Sequence, residues 1–262
     1  MSDQLVLQRI DAGVGRLTLN RPEVHNAFDD VLIAQLTAAL LSLEADRRVR
    51  AVVLAAAGKS FSAGADLAWM QRMAGYSEAE NLADARALAG LMSTLDRLAK
   101  PTVALVQGAA FGGGVGLVAC CDIAIASEAA SFSLSEVKLG LIPAVISPYV
   151  VAAMGPGAAR RFILTAERFS AAQALALGLV HEVVPADRLE ETGQKVLDHL
   201  TQGGPRAQAD AKDLVLSLAG RPIDRALVEE TAERIARIRV GEEAREGLAA
   251  FLEKRKADWQ PE

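Results

Sequence analysis

Three consecutive glycines, Gly112-Gly113-Gly114, lie in the stretch Val106-Gln107-Gly108-Ala109-Ala110-Phe111-Gly112-Gly113-Gly114-Val115-Gly116-Leu117. A β-like apolar run, Thr102 to Leu105, precedes it, and a helix-like run, Leu117 to Cys121, follows. Backbone without side chains lets a ligand atom come within hydrogen-bonding distance of its N–H groups. The first N–H groups of a helix lack intrahelical partners, and the helix dipole favours negative charge there. A bare loop leading into a helix could therefore hold an oxyanion. The same residues also describe a tight strand-to-helix crossover that needs positive φ. A loop of similar make-up, Ser62-Ala63-Gly64-Ala65-Asp66, follows the apolar run Ala51 to Ala55. Glu136, in Ser131 to Pro143, differs from most glutamates of the chain in having apolar neighbours. Such surroundings raise a carboxyl pKa and suit proton transfer near neutrality. Its other reading is a first-turn acid of a helix beginning after Ser135.

Other chemistries fail on spacing. Gly58-Lys59-Ser60 invites a phosphate-loop reading, but Val53 stands where the first glycine of that motif belongs. No dinucleotide fingerprint fits the Gly-rich stretch, because its third glycine would fall on Leu117 or Ala119. The two cysteines, Cys120 and Cys121, are adjacent, so they are expected to be core filler and not a disulfide. His25, His181 and His199 are scattered without ligand spacing, and no metal site is expected.

The elements that must position these groups are legible from periodicity. Residues 5–10 and 14–20 alternate around Asp11-Ala12-Gly13 as a hairpin. Asn26 is expected to cap a helix with Asp29 and Asp30 in its first turn and Phe28, Leu32, Leu36, Leu40 and Leu43 as its stripe. Ala51 to Ala55 and Asp122 to Ala126 read as strands buried on both faces. A helix is expected over 78–99, ended by Pro101. From residue 145 the chain reads as helical over 145–154, 157–166, 171–177, 187–201, 205–218, 222–238 and 242–256, with Ser170 and Asp224 as caps. One short strand interrupts this run near His181 to Val184. A composition shift near 185–205 divides a sheet-containing core, 1–195, from a helical region, 196–262, without a linker between them.

Composition bounds the partners. The 262 residues are 51% hydrophobic, enough for a large α/β core, whereas aromatics are only 4% and the net charge is -5. Both of the latter argue against a nucleic-acid binder. No signal peptide or membrane-spanning run is evident, so a soluble, cytoplasmic protein is expected.

Several segments together resemble the enoyl-CoA hydratase/isomerase (crotonase) superfamily. They are Phe61 to Leu67, Gly108 to Leu117 with Asp122, Ser135 to Pro143, Leu17 to Pro22 and the tail Glu246 to Lys256. The resemblance covers nearly the whole chain. It implies a ββα spiral core with a C-terminal helical trimerisation region, assembled as a homotrimer or a pair of trimers. It also implies an acyl-CoA substrate, with coenzyme A as part of that substrate and no separate cofactor. By position, the N–H groups of Ala65 and Gly113 would form the oxyanion hole and Glu136 would transfer protons. Val24, Asn26, Ala27, Ala63, Asp66, Leu67, Ala68, Gly112 and Gly116 would line the substrate path. Phe251 and Lys254 match residues that the family brings near CoA. Lys254-Arg255-Lys256 also reads, on its own, as a solvated helix end. Typical hydratases of the family carry two glutamates; Glu136 matches the second, and the first falls on Gly116. The sequence from Phe111 to Val151 looks most like the bacterial branch assigned to methylglutaconyl-CoA and carboxygeranoyl-CoA hydration. The implied activity is hydration of a 2-enoyl-CoA, branched or carboxylated, with a Δ3,Δ2-enoyl-CoA isomerase or a non-catalytic acyl-CoA-binding subunit as the alternatives.

Overall fold

A computed structural model describes residues 4–260. The hairpin forms as expected: β1 (Val6–Asp11) pairs antiparallel with β2 (Val14–Leu19). Next come α1 (Asp30–Ala45), β3 (Ala51–Ala56), β4 (Ser60–Ser62), α2 (Leu67–Met73) and α3 (Glu78–Arg97). Then follow β5 (Thr102–Val106), β6 (Ala109–Phe111), α4 (Gly113–Cys120), β7 (Ile123–Ser127) and β8 (Ser131–Ser133). A 3-10 turn, Glu136–Leu139, leads to α5 (Ser147–Thr165), β9 (Phe169–Ser170), α6 (Ala171–Ala176) and β10 (Glu182–Val184). Four helices close the chain: α7 (Leu189–Gln202), α8 (Pro205–Leu218), α9 (Arg225–Arg239) and α10 (Glu242–Glu253).

The strands form two sheets. The larger has the order β1-β2-β3-β5-β7-β10 and is parallel after the hairpin. The smaller has the order β4-β6-β8-β9. Each of β3, β5 and β7 feeds a short strand of the second sheet and then a helical segment, so a strand–strand–helix unit recurs three times along the chain. The fold is thus the α/β spiral anticipated above, with four helices at its C-terminal end.

Burial explains the apolar runs. On β3, Val52 and Leu54 enter the main core with Leu32, Leu36, Leu40, Leu91 and Leu95 of α1 and α3. Ala51, Val53 and Ala55 face the other way, toward Leu189 and Leu197 of α7. A strand covered on both faces has no use for alternating polarity. The boundary drawn at 195/196 falls inside α7, with these two leucines on either side of it. Lys212 of α8 is tied to the core through Asp122, whose Oδ2 accepts from Lys212 Nζ at 2.9 Å, Thr102 N at 2.8 Å and Thr102 Oγ1 at 2.9 Å.

Two expectations change. Asn26 does not cap α1; Asp29 does, its Oδ1 accepting from Leu32 N at 2.7 Å. Asn26 is fully buried with φ 54°, a left-handed conformation that Asn tolerates better than most residues. Its Nδ2 donates to Ala57 O and Ser60 O, and its Oδ1 accepts from Arg21 N. The segments 145–154 and 157–166 are joined as α5, with a break at Gly155 (φ 75°, ψ 158°) just before Pro156. Ser170 and Asp224 cap α6 and α9 as expected.

Candidate active site

The planar trans peptide makes a carbonyl and the next N–H point in opposite directions. That rule orients both loops singled out in the sequence. Gly64 O accepts from Phe28 N at 2.7 Å, so the N–H of Ala65 points away from Phe28. Gly112 O accepts from Val115 N at 2.9 Å and Gly116 N at 3.2 Å, starting α4, so the N–H of Gly113 points back out of the helix start. Neither Ala65 N nor Gly113 N donates to any partner among the described residues. Ala65 is exposed and Gly113 partly so.

The two loops touch. Gly64 (φ 90°) and Gly112 (φ 49°) occupy backbone regions that side chains disfavour, and each also faces the other's loop. A methyl group built on Gly64 would lie 3.2 Å from Phe111 O, and one built on Gly112 would lie 3.8 Å from the Gly64 Cα. The latter would also lie 3.0 Å from Glu136 Oε1. β6 and β8 account for this third approach: Phe111 pairs with Ser133, Gly112 N donates to Ser133 O at 2.9 Å, and Glu136 follows three residues on.

Glu136 opens the 3-10 turn, so the first-turn reading and the apolar-surroundings reading both describe it. Its Oε2 is buried without a hydrogen-bond partner among the described residues. Burial pushes its carboxyl above the ordinary 4.5. A carboxyl group beside two unused amide donors can move protons next to a developing anion.

The other expected site residues separate into layers. Ala63, Leu67 and Ala68 are exposed, Val24 is 36% exposed and Ala27 is buried. Asn26, expected along the substrate path, is fully buried, with its amide donating to Ala57 O and Ser60 O. Asp66 is occupied: its Oδ1 caps α2 at Ala68 N and Trp69 N, and its Oδ2 meets Arg21 Nη2 at 3.1 Å. These donors hold its carboxyl below the ordinary value against the opposing effect of burial, so it serves as a fixed anion. Gly116 is fully buried, and its place is filled from the opposite side. A methyl group there would fall 2.3 Å from Ile146 Cγ2, 2.9 Å from Ile146 Cβ and 3.2 Å from Met92 Cε. Phe251 on α10 and Lys254, which ends that helix, are exposed, and α10 packs chiefly on α8 and α9.

The sequence profile of the family described as Enoyl-CoA hydratase/isomerase matches residues 9–262. The chain belongs to the enoyl-CoA hydratase/isomerase family. An enoyl-CoA hydratase of Shewanella pealeana is 51% identical, with a TM-score of 0.95 over 97% of this chain and 96% of that one. A Legionella pneumophila protein assigned as an enoyl CoA hydratase/isomerase (crotonase) is 50% identical, with a TM-score of 0.94 over 99% and 100%. A Rhizobium meliloti protein named a probable enoyl-CoA hydratase is 38% identical over 270 aligned positions, 99% of each chain. An acyl-CoA substrate is consistent with that family. No described helix is long and apolar enough to cross a membrane, and no described His, Cys, Asp or Glu cluster is arranged to hold a metal.

Sequence reasoning missed three contributors here. Phe28 reads as one more apolar stripe residue, and Arg21 and Ile146, inside Leu17 to Pro22 and the expected helix 145–154, are given no role of their own.

Proposed function

We propose that this protein is an enoyl-CoA hydratase acting on a 2-enoyl-CoA thioester. The observation that carries this reading is the pair of unused amides, Ala65 N–H and Gly113 N–H, on touching loops with the Glu136 carboxyl beside them. As water adds to C3, its proton passes to Glu136 and charge collects on the thioester oxygen between the two amides. Glu136 then returns the proton to C2, which gives the 3-hydroxyacyl-CoA and regenerates the carboxylate. Loss of one such amide donor costs about 3–4 kcal/mol of transition-state stabilisation in comparable sites. Within this reading the acyl group is branched or carboxylated, as in methylglutaconyl-CoA. Ile146, in the segment Ala144 to Val151, supports that choice because it reshapes the wall beside Gly116. The exposed Leu248, Phe251 and Leu252 of α10 support assembly of copies, as a trimer or pair of trimers, through the C-terminal helices.

A second reading, a Δ3,Δ2-enoyl-CoA isomerase, is favoured by one observation: position 116 has no side chain and no room for one, leaving Glu136 as the acid. A single carboxylate can take a proton from C2 and replace it at C4 through the same enolate. The test follows loss of the conjugated thioester absorbance for 2-enoyl-CoAs of several chain lengths and branchings. Hydration abolished by Glu136→Gln, with acyl-CoA binding retained, is the expected result. Turnover of 3-enoyl-CoA alone would replace the first reading by the second. Binding without turnover of either would leave a non-catalytic acyl-CoA-binding subunit.

A further inference from the structure

Phe28 grips both amide-bearing loops. Its backbone brackets Ala65: Phe28 N donates to Gly64 O at 2.7 Å, and Phe28 O accepts from Asp66 N at 2.8 Å. Its ring lies under Gly113, where a methyl group would come within 3.2 Å of Cε2 and 3.3 Å of Cδ2. The ring is 2% exposed and so has little freedom to move. Arg21 locks the segment from behind. Its Nη1 donates to Ala27 O at 2.7 Å and meets Asp29 Oδ2 at 3.0 Å, while its Nη2 meets Asp66 Oδ2 at 3.1 Å. A planar guanidinium with several donors can hold these acceptors in one fixed arrangement, and an ammonium cannot.

We infer that Phe28 is a positioning residue for the reaction, setting the distance between the Ala65 and Gly113 amides, with Arg21 holding Phe28 in place. This rests on the reading of those amides as the oxyanion site. Both grips come from one residue: the main chain of Phe28 holds the Gly64–Ala65 peptide, and its ring sets how closely the start of α4 can approach. Because the two grips share a residue, loosening the ring changes the amide spacing without touching any group that contacts substrate.

The test compares wild type, Phe28→Leu and Arg21→Lys in the full chain. Three quantities are read: kcat with a 2-enoyl-CoA, the Kd of butanoyl-CoA, and the infrared C=O stretch of butanoyl-CoA labelled with 13C at the thioester carbon. Hydrogen bonds to the carbonyl oxygen lower that stretch. In wild type the bound stretch should fall well below that of free thioester. In Phe28→Leu it should move back toward the free value, with kcat reduced about 10- to 100-fold, the scale expected of an ångström-sized misplacement. The Kd should change less than about threefold, since most binding contacts lie elsewhere. Arg21→Lys should show the same pattern more weakly, and it carries the test if Phe28→Leu does not fold. A purely structural role would lower thermal stability but leave the stretch of the folded fraction and its kcat unchanged, which would overturn the inference. A wild-type complex with no lowered stretch would instead overturn the oxyanion reading itself, and the inference with it.

Discussion

Gly116→Ala is a stringent probe of how tightly α4 packs against Ile146. Two carbons in van der Waals contact sit about 3.5–4.0 Å apart. The new methyl group would lie 2.3 Å from Ile146 Cγ2 and 2.9 Å from Ile146 Cβ. Something must move by about 1 Å or more to restore contact at that spacing. Ile146 is 3% exposed and branched at Cβ, so it has few alternative rotamers, and Met92 behind it is fully buried. Overpacking of this kind costs about 1–3 kcal/mol, and the geometry argues for the upper end. Alanine recovers about 1 kcal/mol relative to glycine in a helix interior. The net expected loss is about 2 kcal/mol, or about 4–8 °C in Tm for a chain of this size. Ile146→Ala alone should cost about 2–5 kcal/mol through the space it leaves. In the double variant the alanine at 116 enters that space, so the losses should fall short of additivity by about 2 kcal/mol. Thermal or urea unfolding at one fixed protein concentration measures the cycle. Additive losses, or a Gly116→Ala variant as stable as wild type, would refute the account of Ile146 as the occupant of the position opposite Gly116.

Three further outcomes follow from the same contacts. Gly112→Ala introduces a side chain at φ 49° and a methyl group 3.0 Å from Glu136 Oε1, so turnover should fall at least about 10-fold while the protein stays folded; the enoyl-CoA absorbance assay reads this. Glu136→Gln should raise stability at neutral pH, and here the sign follows from burial. Below the ordinary pKa of 4.5 both folded and unfolded chains hold the proton and the variants should match, whereas above it the unfolded chain releases the proton first. Wild type therefore loses stability relative to Glu136→Gln as pH rises through 4.5 toward the raised folded value, and the gap then stays constant; a gap that widens on acidification contradicts the burial argument. Lys212→Met leaves Asp122 without its cation and should destabilise the docking of α8 by about 1.5–3 kcal/mol, measured by denaturant unfolding and by faster amide exchange in α8.

What could be read along the chain was whatever depends on near neighbours. The hairpin, the doubly buried strands around Val53 and Ile125, the α3 helix and the caps Ser170 and Asp224 all rest on period, propensity or a side chain reaching two or three residues ahead. Glu136 stood out for the same reason, since its apolar neighbours were already in the sequence. The loops around Gly64 and Gly112 were visible too, because backbone without side chains is a local property.

The second sheet was not legible: β4, β6, β8 and β9 are two or three residues long, too short for any alternation to register, and exist only because they pair with one another. Asn26 shows the same limit in reverse. Its type allowed a helix cap, but acceptors more than thirty residues away, Ala57 O and Ser60 O, claimed its amide. Gly116 could be seen to lack a side chain, but not that Ile146, thirty residues on, fills its place. Likewise, the partner of Gly64 O, which turns the Ala65 amide away from Phe28, is Phe28 N, far back along the chain where no local pattern records it, whereas Gly112 O is held by the first turn of its own helix. Sequence determined which groups could react; only the closing of the spiral, through long-range pairing and packing, decided which of their loops lie against one another.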